Sequence, residues 1–346
     1  MCILFIYELL SEGRITMKKT KVISILIVMV MIFSFIGCND KSNVESLKDG
    51  EKRIVKVFVP EGVPSISIAK LIKEKPEVKK NYEVVYETIN STDNLVSKVL
   101  NKEADIAIVP SNLPAQAFNK GLDYKICGTV GWGNLYLLST ENVDNISQLK
   151  GKEIYNIGRG LTPDIVSRYV MKNNNIDPDN DLTLTYLNGA TELAPAFISG
   201  KAKTAIMPEP MITNVLSKKE DAKIGISIND EWKKITDSKY GYPQSTLIVR
   251  DELLKDHEKF VMEFMNQINE SILWANSNPE QLGEYAEELK MSITKDMAPT
   301  VMKRANLNFI NIKDCKDEYR NFYKVLEEYD AKSIGGKIPD EAIYFK

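Results

Sequence analysis

The feature that most limits how this chain can fold is an alternation of short apolar runs with amphipathic stretches, and it occurs twice. Ile54-Val55-Lys56-Val57-Phe58-Val59 reads as a strand, Pro60-Glu61-Gly62-Val63-Pro64-Ser65 as a turn, and the stretch through Ala69, Leu71 and Ile72 as a helix. A strand over Glu83–Glu87, a helix over Thr92–Leu100 and a strand over Asp105–Val109 complete a βαβαβ unit. The pattern restarts after Gly151, with a strand at 153–157, a helix at 163–173, a strand at 183–187, a helix at 191–199 and a strand at 204–207. Strands that alternate with helices pair in parallel under a helical cover, and a mostly apolar run such as 105–109 suits burial on both faces. The expected class is α/β.

Two stretches break the alternation. Cys127 to Thr140 holds two apolar runs around Gly131-Trp132-Gly133-Asn134, and Ser245–Val249 is an isolated strand after Tyr240-Gly241-Tyr242-Pro243-Gln244. They read as two crossing strands between two doubly wound lobes. Residues 53–139 with 243–346 are the expected first lobe and 140–242 the second. The last segment is mostly helical, with Phe260, Phe264, Ile268 and Ile272 at intervals of four on one helical face.

At the amino end, Met17 opens the basic stretch Lys18, Lys19, Lys21, followed by the apolar run Val22–Ile36. Its 15 residues fall short of the roughly 20 of a membrane-spanning helix and match a secretory signal. Phe35-Ile36-Gly37-Cys38 resembles the lipobox of bacterial lipoproteins, with Phe35 where Leu is usual, which implies acylation at Cys38. Residues 1–37 are expected to be leader and signal peptide with the start at Met17, and 38–52 a polar flexible tether.

Without residues 1–37 the chain keeps 41 basic and 46 acidic side chains, a net charge of −5. A mildly acidic surface with no basic block disfavours nucleic-acid binding. Beyond the leader only Cys127 and Cys315 accompany Cys38, and His257 is the single histidine. A zinc site or a histidine base is hard to assemble from these, so no metal and no cofactor are expected. Cys315 shares an apolar helical face with Tyr319, Phe322 and Leu326 and reads as a buried thiol; whether it bonds to Cys127 is left open by the sequence. His257, in Asp256-His257-Glu258, reads as a solvated residue at an exposed helix start.

The functional signal lies in the residues just after each strand. In open parallel sheets, ligands bind beyond the carboxyl ends of the strands, where helix amino termini offer free N–H groups. Gly62-Val63-Pro64-Ser65, Pro110-Ser111-Asn112-Leu113-Pro114, Gly158-Arg159-Gly160-Leu161-Thr162-Pro163-Asp164, Asn188-Gly189-Ala190-Thr191-Glu192 and Pro208-Glu209-Pro210 all stand at such junctions. Thr162 reads as an N-cap with Pro163 at the first helical position.

The run 158–164, the turn Asn175-Ile176-Asp177-Pro178-Asp179-Asn180-Asp181 and Met207-Pro208-Glu209-Pro210 resemble the nitrate/sulfonate/taurine-type substrate-binding proteins of ABC importers, whose relatives bind thiamine-pyrimidine precursors. The likeness spans residues 53–346, including Gly336-Lys337-Ile338-Pro339. It implies a type II periplasmic-binding-protein-like fold that closes on its ligand. It also implies partnership with permease and ATPase subunits, on which a monomer best docks, while the lipobox implies a lipid-anchored place on the extracytoplasmic face of the cell membrane.

On that basis Ser65, Ser111, Asn112, Trp132 and Asn134 are expected on one wall of the cleft, with Thr162, Asp164, Asn188, Thr191 and Glu209 opposite. Gln244 and Ser245 stand at the return crossing. Trp132 serves either as a stacking surface or as core, and Arg159 either pairs with an anionic group or is solvated. Two carboxylates, Asp164 and Glu209, weigh against a strongly anionic ligand and favour a neutral or amine-bearing heterocycle over a sulfonate-like solute. The rival readings are an enzyme on the same fold, of dehydratase or pyrimidine-precursor synthase type with Asp164 and Glu209 as acid and base, and a ligand sensor for a membrane receptor.

Overall fold

A computed structural model describes residues 52–346 apart from Asn188; the leader, the start of the tether and Cys38 lie outside the described residues. Eleven strands are described: β1 Arg53–Pro60, β2 Tyr82–Ile89, β3 Ile106–Pro110, β4 Tyr124–Trp132, β5 Leu135–Ser139, β6 Glu153–Ile157, β7 Thr183–Leu187, β8 Thr204–Pro208, β9 Lys223–Ser227, β10 Pro243–Arg250 and β11 Leu307–Asn311. They form a six-stranded sheet ordered β11-β4-β10-β3-β1-β2 and a five-stranded sheet ordered β7-β6-β8-β5-β9.

Each sheet is built on a parallel trio in the same order, β2-β1-β3 in one and β7-β6-β8 in the other. These are the two βαβαβ units, and the α/β class is confirmed. Ile106, Ala107, Ile108 and Val109 of β3 are all fully buried, as a central strand covered on both faces must be. At the sheet edge, β2 exposes Glu83, Val85 and Glu87 and turns the alternate residues inward, the pattern of an edge with water on one side.

Antiparallel strands complete each sheet. β10 lies between β3 and β4, and β11 flanks β4; β5 lies between β8 and β9. Only Gly133 and Asn134 separate β4 in one sheet from β5 in the other, and the chain returns through the helix Ile228–Thr236 and Tyr242 into β10. Strands β9 and β11 lie outside the two expected units, in stretches the sequence pattern leaves unmarked.

The helix Asp251–Ser277 buries Phe260, Phe264, Ile268 and Ile272 against the six-stranded sheet. It kinks at His257, whose backbone departs from helical geometry. His257 is half-buried rather than solvated: it contacts the Arg53 guanidinium through Nε2 and the Tyr82 hydroxyl, at 2.7 Å, through Nδ1. The helical spacing of Asp256-His257-Glu258 conceals this, because both partners come from strands distant in sequence. Cys127 and Cys315 are free, buried thiols. Among the described residues no helix is long and apolar enough to cross a membrane, and no group of three or more His, Cys, Asp or Glu is placed to hold a metal ion.

Candidate functional site

The carboxyl ends of β3 and β8 and the two passages between the sheets bring several of the expected residues together. Where the chain passes from β4 to β5, the Asn134 N–H donates to Gln244 Oε1 at 3.2 Å. The Gln244 carbonyl in turn accepts the Ser111 N–H at 3.2 Å. Ser111, Asn134 and Gln244 thus form one contiguous group at the root of the passages. Asn134 is 5% exposed, and its side-chain oxygen is buried without a protein partner.

The hydroxyl of Ser111 points inward, accepting from Thr246 Oγ1 at 2.7 Å. Thr246 contacts Tyr319 Oη at 2.6 Å, and Tyr319 contacts Thr129 Oγ1 at 2.9 Å. These hydroxyls satisfy one another inside the six-stranded half, as buried polar groups must. Ser65 is also satisfied locally, through Gly62 O at 2.8 Å, and Asn112 donates to Ser333 O at 3.1 Å. All three line their junctions with side chains already engaged.

Trp132 is 3% exposed. Its indole N–H donates to Asn308 O at 3.0 Å and its ring lies 5.0 Å from that of Tyr240. Of the two sequence readings, the structure favours a packed wall residue. Its edge meets a hollow of about 290 Å³ shared with Asn229, Lys233, Lys239 and Asn306.

In the five-stranded half, the helix Thr162–Asn173 begins one residue earlier than the N-cap reading of Thr162 requires. Leu161 holds the N-cap position with no side-chain bond, and Pro163 lies in the first turn. Asp164 instead ties down the loop before the helix, its Oδ2 accepting the Gly160 N–H at 2.8 Å. Its Oδ1 accepts from Arg168 Nε at 2.9 Å and Tyr186 Oη at 2.6 Å. Burial, with the hydrogen bond to Asp164 next, pushes the Tyr186 phenol up to about 12. The i,i+4 spacing of Asp164 and Arg168 is a signal that predicts this pair. Arg159 packs its guanidinium 5.3 Å from the Tyr186 ring centre. Asn188 and the side chain of Thr191 lie outside the described residues.

Glu209 is buried with a side-chain exposure of 0%. Its Oε1 accepts from Arg304 Nε at 2.6 Å and from Thr213 Oγ1 at 3.0 Å, and its Oε2 from the Thr213 N–H at 3.1 Å. Burial raises its carboxyl above the usual range, opposed by the Arg304 charge. No local sequence pattern marks Arg304: it stands in an irregular segment before β11, and its role emerges only when β11 pairs with β4. Asp164 and Glu209 are therefore each neutralised by an arginine. The case against an anionic ligand requires unpaired carboxylates, and that requirement is not met.

With this geometry in view, the NMT1/THI5 like family matches residues 90–282, more than half of the chain. The chain belongs to that family. A Bacillus subtilis (strain 168) protein named "Putative binding protein YtlA" is 25% identical over 236 residues, covering 66% of this chain and 68% of its own. Among solved structures, an ABC transporter protein from Parabacteroides distasonis superposes with a TM-score of 0.74 at 25% identity, covering 85% of this chain and 99% of that one. The periplasmic aliphatic sulphonate binding protein SsuA of Escherichia coli shares the fold, with a TM-score of 0.64 at 13% identity over 79% of this chain and 93% of its own.

Proposed function

We propose that the chain is the solute-binding component of an ABC importer, closing on a small molecule between two lobes, one around each sheet, with the outgoing boundary at Gly133-Asn134 rather than after residue 139, because β5 pairs within the five-stranded sheet. A lipid on Cys38 holds it to the extracytoplasmic face of the membrane, where a monomer docks on permease subunits. The observation that carries this reading is the pairing of two like-ordered parallel trios through two passages tied at Asn134 and Gln244. Such an arrangement lets two rigid bodies rotate about a narrow root while their strand-end loops meet around a ligand. The names of the relatives, a binding protein and an ABC transporter protein, support the same reading.

With both cleft carboxylates internally neutralised, the ligand is selected by amides, hydroxyls and the Arg159 guanidinium, and it belongs among heterocycles or sulfonate-like solutes. Native mass spectrometry of gently isolated protein tests the reading: a stoichiometric small molecule, recovered chemically unchanged on denaturation, is expected. Conversion of that molecule by the protein would establish an enzyme instead. For the anchor, labelling with a fatty acid is expected in the parent and absent in Cys38→Ser, which moves to the soluble fraction.

A further inference from the structure

We infer that Arg304 is the closure latch of the cleft, fixed to the six-stranded half and clasping three elements of the five-stranded half. The inference rests on the proposed binding function and adds how the closed form is held.

The backbone of Arg304 belongs to the six-stranded half. Its N–H donates to Val301 O at 3.0 Å, and three residues later Leu307 pairs with Gly131 in the register of β11 on β4. Its side chain and its carbonyl reach away from that half. Its Nε and a terminal nitrogen both lie 2.6 Å from Glu209 Oε1, just after β8. The terminal nitrogen also donates to Thr213 Oγ1 at 2.9 Å, in the helix Met211–Leu216. Its carbonyl accepts from Tyr136 Oη, in β5, at 3.3 Å. Asn306, two residues on, donates to Gly133 O and accepts the Trp132 N–H, so the contact stands beside the outgoing passage, and a rotation there that parts the two halves on this side breaks all of these bonds together.

The two sides of the contact are prepared differently. Thr213 holds the Glu209 carboxylate through both N–H and hydroxyl, so the acceptor is aimed by its own half before closure. Arg304 keeps 17% of its side chain exposed and swings into water on opening. Burying such a pair costs much of what its attraction returns. A contact of this kind leaves the open and closed forms close in free energy, so that a ligand with preference for the closed form decides between them.

The test uses the full chain, refolded from guanidinium chloride to strip any retained solute, and three variants: Arg304→Met, Glu209→Gln and the two combined. Solution X-ray scattering and amide hydrogen exchange are read without added ligand. Each single variant is expected to expand the radius of gyration and to speed exchange of the Tyr136 and Asn306 amides about tenfold, the size of an ordinary intersite coupling. The double variant is expected to match the singles, because each removes the same contact. Unaltered dimensions and exchange in cooperatively folded variants, or additive effects in the double, would overturn the latch. Should the charge variants fail to fold, Tyr136→Phe, which deletes only one hydroxyl, must show the same expansion in smaller degree, and its absence counts against the proposal. Failure of the binding reading shows separately, as no small molecule in native mass spectra, since none of these readouts needs a ligand.

Discussion

Asn134 gives its backbone N–H to the side-chain oxygen of Gln244 at 3.2 Å, which ties the outgoing passage to the returning one. The donor is nearly buried, so its partner decides whether it is satisfied. Replacing Gln244 with Leu leaves an unmet N–H and is expected to cost about 1–3 kcal/mol of unfolding free energy in a denaturant titration. Gln244→Glu keeps an acceptor in place and is expected to lose less; equal losses would show that the bond contributes nothing.

Gly133 occupies a space only a hydrogen atom fits. A Cβ there would lie 2.3 Å from the Tyr242 ring and 2.4 Å from Asn229 Oδ1. Neither neighbour can retreat freely, since Tyr242 is buried and Asn229 is held by Tyr240 O and the Tyr242 N–H. Gly133→Ala is therefore expected to lower stability by about 1–3 kcal/mol through overpacking. Gly121→Ala, with no atom within 4 Å but a positive φ of 78°, controls for strain without crowding. If the two variants melt alike, crowding is not the cause.

Asp164 joins the start of its helix to Arg168 and Tyr186, with a side-chain exposure of 4%. Asp164→Ala leaves Arg168 with Asp179 at 2.7 Å but deprives the Arg168 Nε, the Tyr186 hydroxyl and the Gly160 N–H of their shared buried acceptor, a loss of about 1–3 kcal/mol. A thermal melt that changes by less than a degree would contradict the assignment. The same variant separates a structural role from a ligand-contacting one: affinity for the co-purified solute should change no more than the variant's loss of order in the loop 158–162 explains.

His257 makes stability depend on pH. Arginine offers no acceptor, so Nε2 facing Arg53 must be the unprotonated nitrogen and Nδ1–H donates to Tyr82. Burial, and then the Arg53 charge, lower the His257 pKa below its ordinary value. Because the folded state binds the proton less readily than the unfolded chain, the neutral side chain contributes fully above the unfolded value of about 6.5, and stability falls as pH drops through that value toward the folded one. His257→Gln should show a flatter stability profile between neutral and mildly acidic pH. An identical slope in parent and variant would remove His257 from the account.

Burial pushes the Cys315 thiol up to about 12 and raises Cys127 as well. Thiolate is the reactive form, so both should resist a thiol reagent at neutral pH until denaturant is added. Rapid labelling of either in the folded protein would refute their burial.

Much of this architecture is legible in the residues because apolar periodicity carries it. Ile106-Ala107-Ile108-Val109 can only be a covered strand, and Phe260, Phe264, Ile268 and Ile272 can only be one face of a helix. Strands β9 and β11 escape notice for a physical reason: Lys223-Ile-Gly-Ile-Ser and Leu307-Asn-Phe-Ile-Asn are short and mixed, and their partners β5 and β4 define them. The candidate site divides in the same way. Junction residues such as Ser111 and Gln244 follow from their place after or before a strand, and the direction of their bonds does not. Arg304 and Tyr136 become visible only when distant segments meet, because no local spacing encodes a contact across 168 residues.

The place of β10 bears on how the protein is made. That strand sits between β3 and β4, so the middle of the first sheet stays empty until residue 250 has left the ribosome or the export channel. Every strand of the five-stranded sheet is complete before then. Assembly should therefore run out of sequence order, the inserted half closing on local contacts while the half that begins the chain waits, its unfilled slot a surface for chaperones to guard.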